Sequence, residues 1–271
     1  MELPVSGMEV VFRAPDGNDD LAILEAAGGP VEQGLTLLKR MARVQPGEGG
    51  PRENGLDRQS QWAEFTVTDF ETALLGLRRF LFGDKVGCVL RATTHSCGVP
   101  MELEFSIASF LQEVKPEMPR RVEPSREHPG WFTLDGTDKE QLRFRLPVVD
   151  DQVRALNHPD GVALLSKRCI SAASLNARMR ARVERAMEAM APTVSRPVTG
   201  NCPDCGEALT MTLHVPRLVV DEMRKSAAGV HEEIHEIAST YHWDEATILA
   251  MPQVRRQSYV ATIRRQAREG V

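Results

Sequence analysis

The sequence lacks the features that direct a chain into a membrane or an export pathway. No run approaches the length of about 18 consecutive apolar residues that indicates a membrane-spanning helix. The first residues, Met1 to Pro4, contain neither the basic nor the apolar segment of a secretory signal. A net charge of -5 gives no general attraction for nucleic acid or for an anionic membrane. We therefore expect a cytoplasmic protein whose partners are neither nucleic acids nor membranes.

Aromatic residues and catalytic motifs are also scarce. The chain has three tryptophans, nine phenylalanines and two tyrosines, which are not interleaved with basic residues as in a platform that stacks nucleic-acid bases. The segment Gly47–Gly50 is rich in glycine, but no Lys-Ser/Thr pair follows it as a phosphate-binding loop requires. No serine occupies a G-x-S-x-G elbow. Apart from the motif at residues 231–235, which is described below, no catalytic constellation stands out in the sequence.

Cysteine is limited to five residues, an odd number. Without an export signal, these cysteines are better interpreted as thiols or metal ligands than as a disulfide framework. Cys202 and Cys205 form a C-x-x-C turn followed by Gly206, a spacing typical of a zinc knuckle. A structural zinc ion needs four ligands, and Cys97 and Cys169 are candidates for the remaining two. The other available donors are Cys88, His95 and His214. A metal-free remnant and a redox pair are the alternatives to structural zinc.

The C-x-x-C turn belongs to a pattern that occurs twice. In each copy a Cys-Gly turn precedes an alternating strand, Met101–Ile107 in the first copy and Leu209–Val215 in the second. Helical patterns precede both copies, over Phe70–Phe82 and Ile170–Met190. We therefore predict an α+β fold with two repeated helix–Cys-Gly knuckle–strand modules and a C-terminal helical module.

Composition suggests where these modules begin and end. Residues 116–142 carry four prolines and many charges, which is typical of an extended connector. The first α+β repeat then covers residues 1–115, and the second, with the C-x-x-C knuckle, covers 143–217. The helical module covers residues 218–271. Near its start, apolar spacing predicts one helix from about Pro216 through Thr240, and Asp244 is expected to cap a short helix after it.

The segment His231-Glu232-Glu233-Ile234-His235 matches the H-E-x-x-H motif of zinc metalloproteases. On a helix, His231 and His235 share a face, and Glu232 can act as general base for a zinc-bound water. The extended form of the motif has a glycine and a third histidine where this chain has Ala238 and Tyr241. A zinc metalloprotease is therefore an alternative function, and an acidic stripe on an amphipathic helix is the simpler explanation of the motif.

Three blocks of the sequence together resemble a known family. They are Asp69–Asp84, the Cys202–Gly206 turn and Tyr241–Tyr259. The chain resembles the baseplate hub-assembly proteins of contractile-tailed phages of the T-even type and their relatives in contractile injection systems. The resemblance covers most of the chain and implies a non-enzymatic structural or chaperone-like protein of tail assembly, whose partners are baseplate or hub proteins. Thr94 departs from the pattern, because it replaces the first cysteine of the knuckle in the first repeat. A cytosolic zinc-ribbon binding module of unrelated function is a further alternative.

The C-terminal block also contains the residue types that protein interfaces favour. Trp243 and Tyr259 are predicted anchors, because aromatic side chains bury a large area at little entropic cost. Arg255 and Arg256 are predicted to contact an acidic partner, because the guanidinium group suits interfacial ion pairs. The alternatives are packing of the C-terminal helices on one another for the aromatic residues and a solvated helix face for the arginines.

Overall fold

A computed structural model describes residues 1–45, 61–90, 101–134, 142–172, 175–201 and 205–269. These residues form an α+β fold, as the sequence predicts. The chain divides into two compact units. The first, the α+β unit, comprises Met1–Val10 and Val44–Val215, and the second, the helical unit, comprises Val11–Arg43 and Pro216–Val271. In chain order the elements are β1 (Glu9–Phe12), α1 (Gly17–Glu25), α2 (Pro30–Met41), β2 (Ala42–Gln45), α3 (Val67–Phe82), β3 (Lys85–Leu90), β4 (Met101–Ser106), α4 (Ile107–Gln112), β5 (Val122–Pro124), β6 (Phe132–Leu134), β7 (Leu142–Phe144), α5 (Val149–Leu156), α6 (Gly161–Cys169), β8 (Ile170–Ser171), α7 (Ala177–Met190), β9 (Pro197–Asn201), β10 (Ala208–Thr212), α8 (Val215–Ala227), α9 (Val230–Tyr241), α10 (Glu245–Leu249) and α11 (Gln253–Glu269).

A four-stranded antiparallel sheet, in the order β5-β6-β7-β8, forms the centre of the α+β unit. Alternation along β7 buries Leu142 and Phe144 on one face, as the two-residue period of a strand requires. Helix α7 contributes Val183 and Ala186 to the same core. Strands β5 and β6 of this sheet lie within residues 116–142, the range that its proline content predicts to be an extended connector.

Two antiparallel hairpins also belong to the α+β unit. β3 pairs with β4 and β9 pairs with β10, so strands occur at both positions that the alternating patterns predict. The second strands of the hairpins, β4 and β10, end at Ser106 and Thr212, one and three residues earlier than predicted, because helices α4 and α8 begin at Ile107 and Val215. Most residues of the two predicted Cys-Gly knuckles, including Cys97 and Cys202, lie outside the described residues. The repeated knuckle therefore stays a prediction.

The helical unit combines two N-terminal helices, α1 and α2, with the four C-terminal helices. The single helix predicted over 216–240 is divided into α8 and α9, with Gly229 at the N-cap of α9. Asp244 caps α10 as predicted, because its carboxylate accepts the Thr247 N–H at 2.8 Å. Helix α1 approaches α10 so closely that a Cβ atom on Gly17 would lie 2.8 Å from the Leu249 side chain. Residues 11–43 thus belong to the same unit as the C-terminal helices. The domains predicted from the sequence are consecutive segments and therefore do not combine these two regions.

None of the helices within the described ranges has both the length and the apolar character that crossing a membrane requires.

Candidate functional site

Three aromatic rings meet on the helical unit. The ring of Trp243 lies 5.1 Å from the rings of Tyr241 and Tyr259, and the two tyrosine rings are 5.6 Å apart, measured between centroids. Tyr241 ends α9, Tyr259 lies on α11, and Trp243 occupies the connection that follows α9. Each ring packs on the core formed by Ile237, Ile248 and Val260 while remaining partly exposed. We call Tyr241, Trp243 and Tyr259 the aromatic cluster.

The backbone at the end of α9 brings Trp243 to this cluster. His242 has a left-handed conformation, with φ 56° and ψ 29°, and its N–H donates to the Ala238 carbonyl at 2.9 Å. This geometry ends a helix by reversing the chain. The reversal stacks Trp243 against Tyr241, with an angle of 24° between the ring planes.

Arg255 adds a positive charge beside the aromatic cluster. Its guanidinium carbon lies 5.9 Å from the centre of the Tyr259 ring, within the range of a cation–π contact. The Arg255 side chain is exposed. The structure therefore brings together three of the four predicted docking residues, Trp243, Arg255 and Tyr259.

Arg256, the fourth predicted docking residue, is buried, and the prediction for it is corrected. Its relative exposure is 0%. The Arg256 Nε donates to the Glu233 carboxylate at 2.8 Å, its Nη1 donates to the Met251 carbonyl at 2.7 Å, and its Nη2 donates to Asp20. Since every guanidinium nitrogen has a partner inside the unit, Arg256 holds α1, α9 and α11 together and is not accessible to another protein.

The two carboxylates around Arg256 are also removed from solvent. Asp20 is 2% exposed and Glu233 is 9% exposed. Burial raises the pKa of the Asp20 carboxyl above its ordinary value, although the hydrogen bond and the charge of Arg256 act in the opposite direction. The Asp20–Arg256–Glu233 network is therefore a buried structural element that joins α1 to α9 and α11, the helices that carry Tyr241 and Tyr259.

A second arrangement of charged residues occurs twice in the chain. In the first copy, Arg13 donates to both oxygens of Asp19, at 2.6 and 2.9 Å, and Arg40 donates to the same carboxylate at 2.8 Å. In the second copy, Arg145 donates to both oxygens of Asp151, at 2.6 and 2.9 Å, and Arg168 donates at 2.5 Å. We call each set an arginine clasp.

The two arginine clasps also share their backbone geometry. Each aspartate is the third residue of a helix and accepts the N–H of the residue that caps that helix, Asp16 or Val148, at 3.0 Å. The main-chain N–H of Arg13 donates to the Met41 carbonyl at 3.0 Å, and that of Arg145 donates to the Cys169 carbonyl at 2.9 Å. Neither clasp was predicted from the sequence. Their signals are an Arg-x-Pro-x-x-x-Asp spacing at 13–19 and 145–151 and a Lys-Arg pair at 39–40 and 167–168.

Cys169, a predicted zinc ligand, belongs to the second arginine clasp. Its sulfur lies 3.7 Å from an Asp151 oxygen, and the residue is 2% exposed. Burial, together with the negative charge of Asp151, raises the pKa of the Cys169 thiol to about 11. Zinc binds the thiolate form, whereas Cys169 lies in the interior of the clasp, and its role as a zinc ligand stays a prediction.

The remaining zinc predictions are not changed by the structure. Cys205 is exposed and forms no disulfide bond with any described residue. Cys202 and Cys97 lie outside the described residues, so the zinc knuckle stays a prediction. In the part of the chain that the structure describes, no three His, Cys, Asp or Glu side chains converge as a metal site would require.

The H-E-x-x-H residues all lie on α9. His231, Glu232 and His235 are exposed, whereas Glu233 faces inward to Arg256. Among the described residues no third ligand joins the two histidines. The metalloprotease therefore stays an alternative prediction.

Comparison with known proteins finds no match: no protein family, no characterised protein and no solved structure is significantly similar to this chain.

Proposed function

We propose that this chain is a non-enzymatic structural or chaperone-like assembly protein of the baseplate of a contractile phage-tail-like particle. The helical unit docks a baseplate or hub partner through a surface composed of the aromatic cluster and Arg255. The C-terminal block Tyr241–Tyr259, the most specific part of the family resemblance, contains all four of these residues.

The observation that carries this proposal is the partial exposure of three rings in mutual contact beside an exposed arginine. Packing of the C-terminal helices does not bury these rings completely, although all three contact the core of Ile237, Ile248 and Val260. Interfaces are enriched in tryptophan, tyrosine and arginine, and such residues often contribute most of the binding free energy. A partner with an acidic group beside an apolar surface complements this site.

We also infer that the chain contains a tandem duplication that includes the predicted knuckle modules. Each arginine clasp is followed by a helix and a two-stranded hairpin, α3 with β3–β4 after the first clasp and α7 with β9–β10 after the second. The matching order supports a repeat that begins at the clasp, earlier in the sequence than the knuckle pattern alone suggests.

The proposal is tested by isolating particles or assembly intermediates from the host that encodes the chain. We expect tagged wild-type protein to co-sediment with baseplate or hub proteins identified by mass spectrometry. The change Arg255→Glu should lower the recovery of those proteins about tenfold, because it places a negative charge opposite an acidic partner. Lys225→Glu, the same change of charge on an exposed residue of α8, is the matched control and should have no effect.

Two results would contradict the proposal. One is equal recovery of partners with Arg255→Glu and with wild type, provided that both proteins have the same melting temperature. The other is a peptidase activity of the purified protein that Glu232→Gln abolishes without changing the fold, since Glu232 is exposed and has no place in the docking surface. That second result would favour the metalloprotease.

A further inference from the structure

Helix α7 separates its charges by sign. Arg182 and Arg185 line one groove of the α+β unit, together with Ala186 of the same helix. Glu184 and Glu188 line a different cavity, which they share with Glu71 of α3. The two arginines therefore line a different opening from Glu184 and Glu188, and the Arg185 Nε also donates to the Ala181 carbonyl at 3.1 Å.

A turn adds two further arginines to the first groove. The Val122 N–H donates to the Pro119 carbonyl at 2.9 Å, which places Arg120 and Arg121 at the two central positions of a four-residue turn. Both side chains are exposed and both line the groove. The neighbouring backbone is tied to the end of α7 by a hydrogen bond of 2.7 Å from the Glu117 N–H to the Ala189 carbonyl. The arginines of the turn and of the helix are thus held along one opening.

The groove has an apolar floor between these charges. Its volume is about 400 Å³, and Leu134 and Ala186, which are 6% and 5% exposed, form part of its lining. Among the described residues that line it, four are arginines and none is acidic. We call Arg120, Arg121, Arg182, Arg185, Leu134 and Ala186 the arginine groove.

We propose that the arginine groove binds an acidic protein segment in which carboxylates flank an apolar side chain. Guanidinium groups bind carboxylates through paired hydrogen bonds, and the floor accepts an apolar group between them. Nucleic acid fits the groove less well, because no aromatic residue among its described lining residues can stack a base and the chain as a whole carries a net charge of -5. The groove consists of residues of the α+β unit alone, and its assignment does not depend on the proposed function of the helical unit.

The probe is a fluorescein-labelled peptide, Asp-Glu-Leu-Glu-Asp, titrated with the full-length protein and followed by fluorescence anisotropy. We expect wild type to bind it, and to bind it more weakly as sodium chloride is added, since salt screens exposed charges. The double variant Arg120→Glu and Arg121→Glu should bind at least about tenfold more weakly, because two attractive pairs become repulsive. The amide peptide Asn-Gln-Leu-Gln-Asn should not bind.

The matched control is the double variant Arg126→Glu and Arg178→Glu. These residues are exposed in the same unit, do not line the groove, and change the net charge by the same amount. We expect this control to bind the acidic peptide like wild type. Circular dichroism verifies folding of each variant, and Arg120→Gln with Arg121→Gln replaces the charge reversal if that variant does not fold.

Three outcomes overturn the proposal. The first is the absence of binding of the acidic peptide to wild type, and the second is an equal loss of binding in the groove variant and in the control. The third is binding of single-stranded oligothymidylate in preference to the peptide, which assigns the groove to a phosphate backbone.

Discussion

The two clasp aspartates, Asp19 and Asp151, each bind two arginines, but the arginines of the two clasps differ in their exposure to solvent. Both carboxylates are almost completely buried, with 1% and 0% of the side chain exposed. The arginines around Asp19 are 45% and 38% exposed, whereas those around Asp151 are 21% and 33% exposed. Because water weakens an ion pair, we expect the clasp around Asp151 to contribute more to stability than the clasp around Asp19.

The carboxyl group of Asp151 makes stability depend on pH. Burial alone would raise its pKa, but the hydrogen bonds from Arg145, Arg168 and the Val148 N–H outweigh burial and hold the pKa well below its ordinary value. A carboxyl group with a lowered pKa in the folded protein stabilises the fold above its unfolded pKa of about 3.9, and this contribution is lost as the pH falls toward the folded pKa.

We predict that Asp151→Asn lowers the free energy of unfolding by about 2 to 3 kcal/mol at neutral pH, because it leaves two arginines around a neutral side chain. The difference between wild type and variant should be constant above about pH 5 and should shrink below about pH 4. Urea unfolding of both proteins between pH 3 and pH 7 measures this difference in the free energy of unfolding. Asp150→Asn, at the neighbouring carboxylate with 38% exposure, is the control and should have a much smaller effect. A difference that grows as the pH falls would contradict this account.

Helix α11 shows why adjacent arginines on one element have different roles. Successive residues of an α-helix point about 100° apart, since 3.6 residues complete a turn. Arg256 therefore faces the interior, where Asp20 and Glu233 bind it, while Arg255 faces solvent beside Tyr259. From the sequence of one helix, several arginines predict a solvated face or a docking face. The burial of Arg256 could not be predicted in this way, because it depends on carboxylates that belong to other helices.

At the scale of this element we predict unequal effects of the same substitution. Arg256→Met leaves two buried carboxylates without their cation and should lower the free energy of unfolding by about 3 to 5 kcal/mol. Arg255→Met, the matched change at the exposed neighbour, should change it by no more than about 0.5 kcal/mol. Chemical unfolding followed by circular dichroism compares the two variants. Equal stability of Arg255→Met and Arg256→Met would show that the buried network does not hold these helices together.

Local signals predicted elements better than they predicted associations between elements. The cap at Asp244 and the alternating strands after residues 100 and 207 depend on neighbouring residues, and the structure contains them. Strands β5 and β6 were missed because each has three residues and is defined by pairing within the sheet. The clasps were missed because each contains a pair of residues that are far apart in the sequence. Arg40 is 21 residues from Asp19, and Arg168 is 17 residues from Asp151.

At the scale of the whole molecule, neither unit is a continuous stretch of sequence. The helical unit takes Val11–Arg43 from one end of the chain and Pro216–Val271 from the other. Composition and proline content suggest boundaries between consecutive segments, so they do not predict a unit assembled from distant ones. Each unit contains one of the two arginine clasps. A substitution in one clasp can therefore be used to destabilise one unit at a time.

We predict that clasp variants loosen one unit each. Asp19→Asn should raise hydrogen–deuterium exchange in peptides from Val11–Arg43 and Pro216–Val271, and Asp151→Asn should raise it within Val44–Val215. Mass spectrometry of peptic fragments, in the absence of denaturant, measures both patterns. Faster exchange along the whole chain in either variant would show that the two units unfold as one.

The pairing of Asp20 with Arg256 has a consequence for synthesis on the ribosome. The two residues are 236 positions apart, so Asp20 leaves the ribosome long before its cation has been translated. The α+β unit has its complete sequence once Val215 emerges, whereas the segment Val11–Arg43 must wait for the C-terminal helices. Until the C-terminal helices are translated, a nascent chain therefore carries an amphipathic segment without its partner, and its apolar surface is exposed to aggregation.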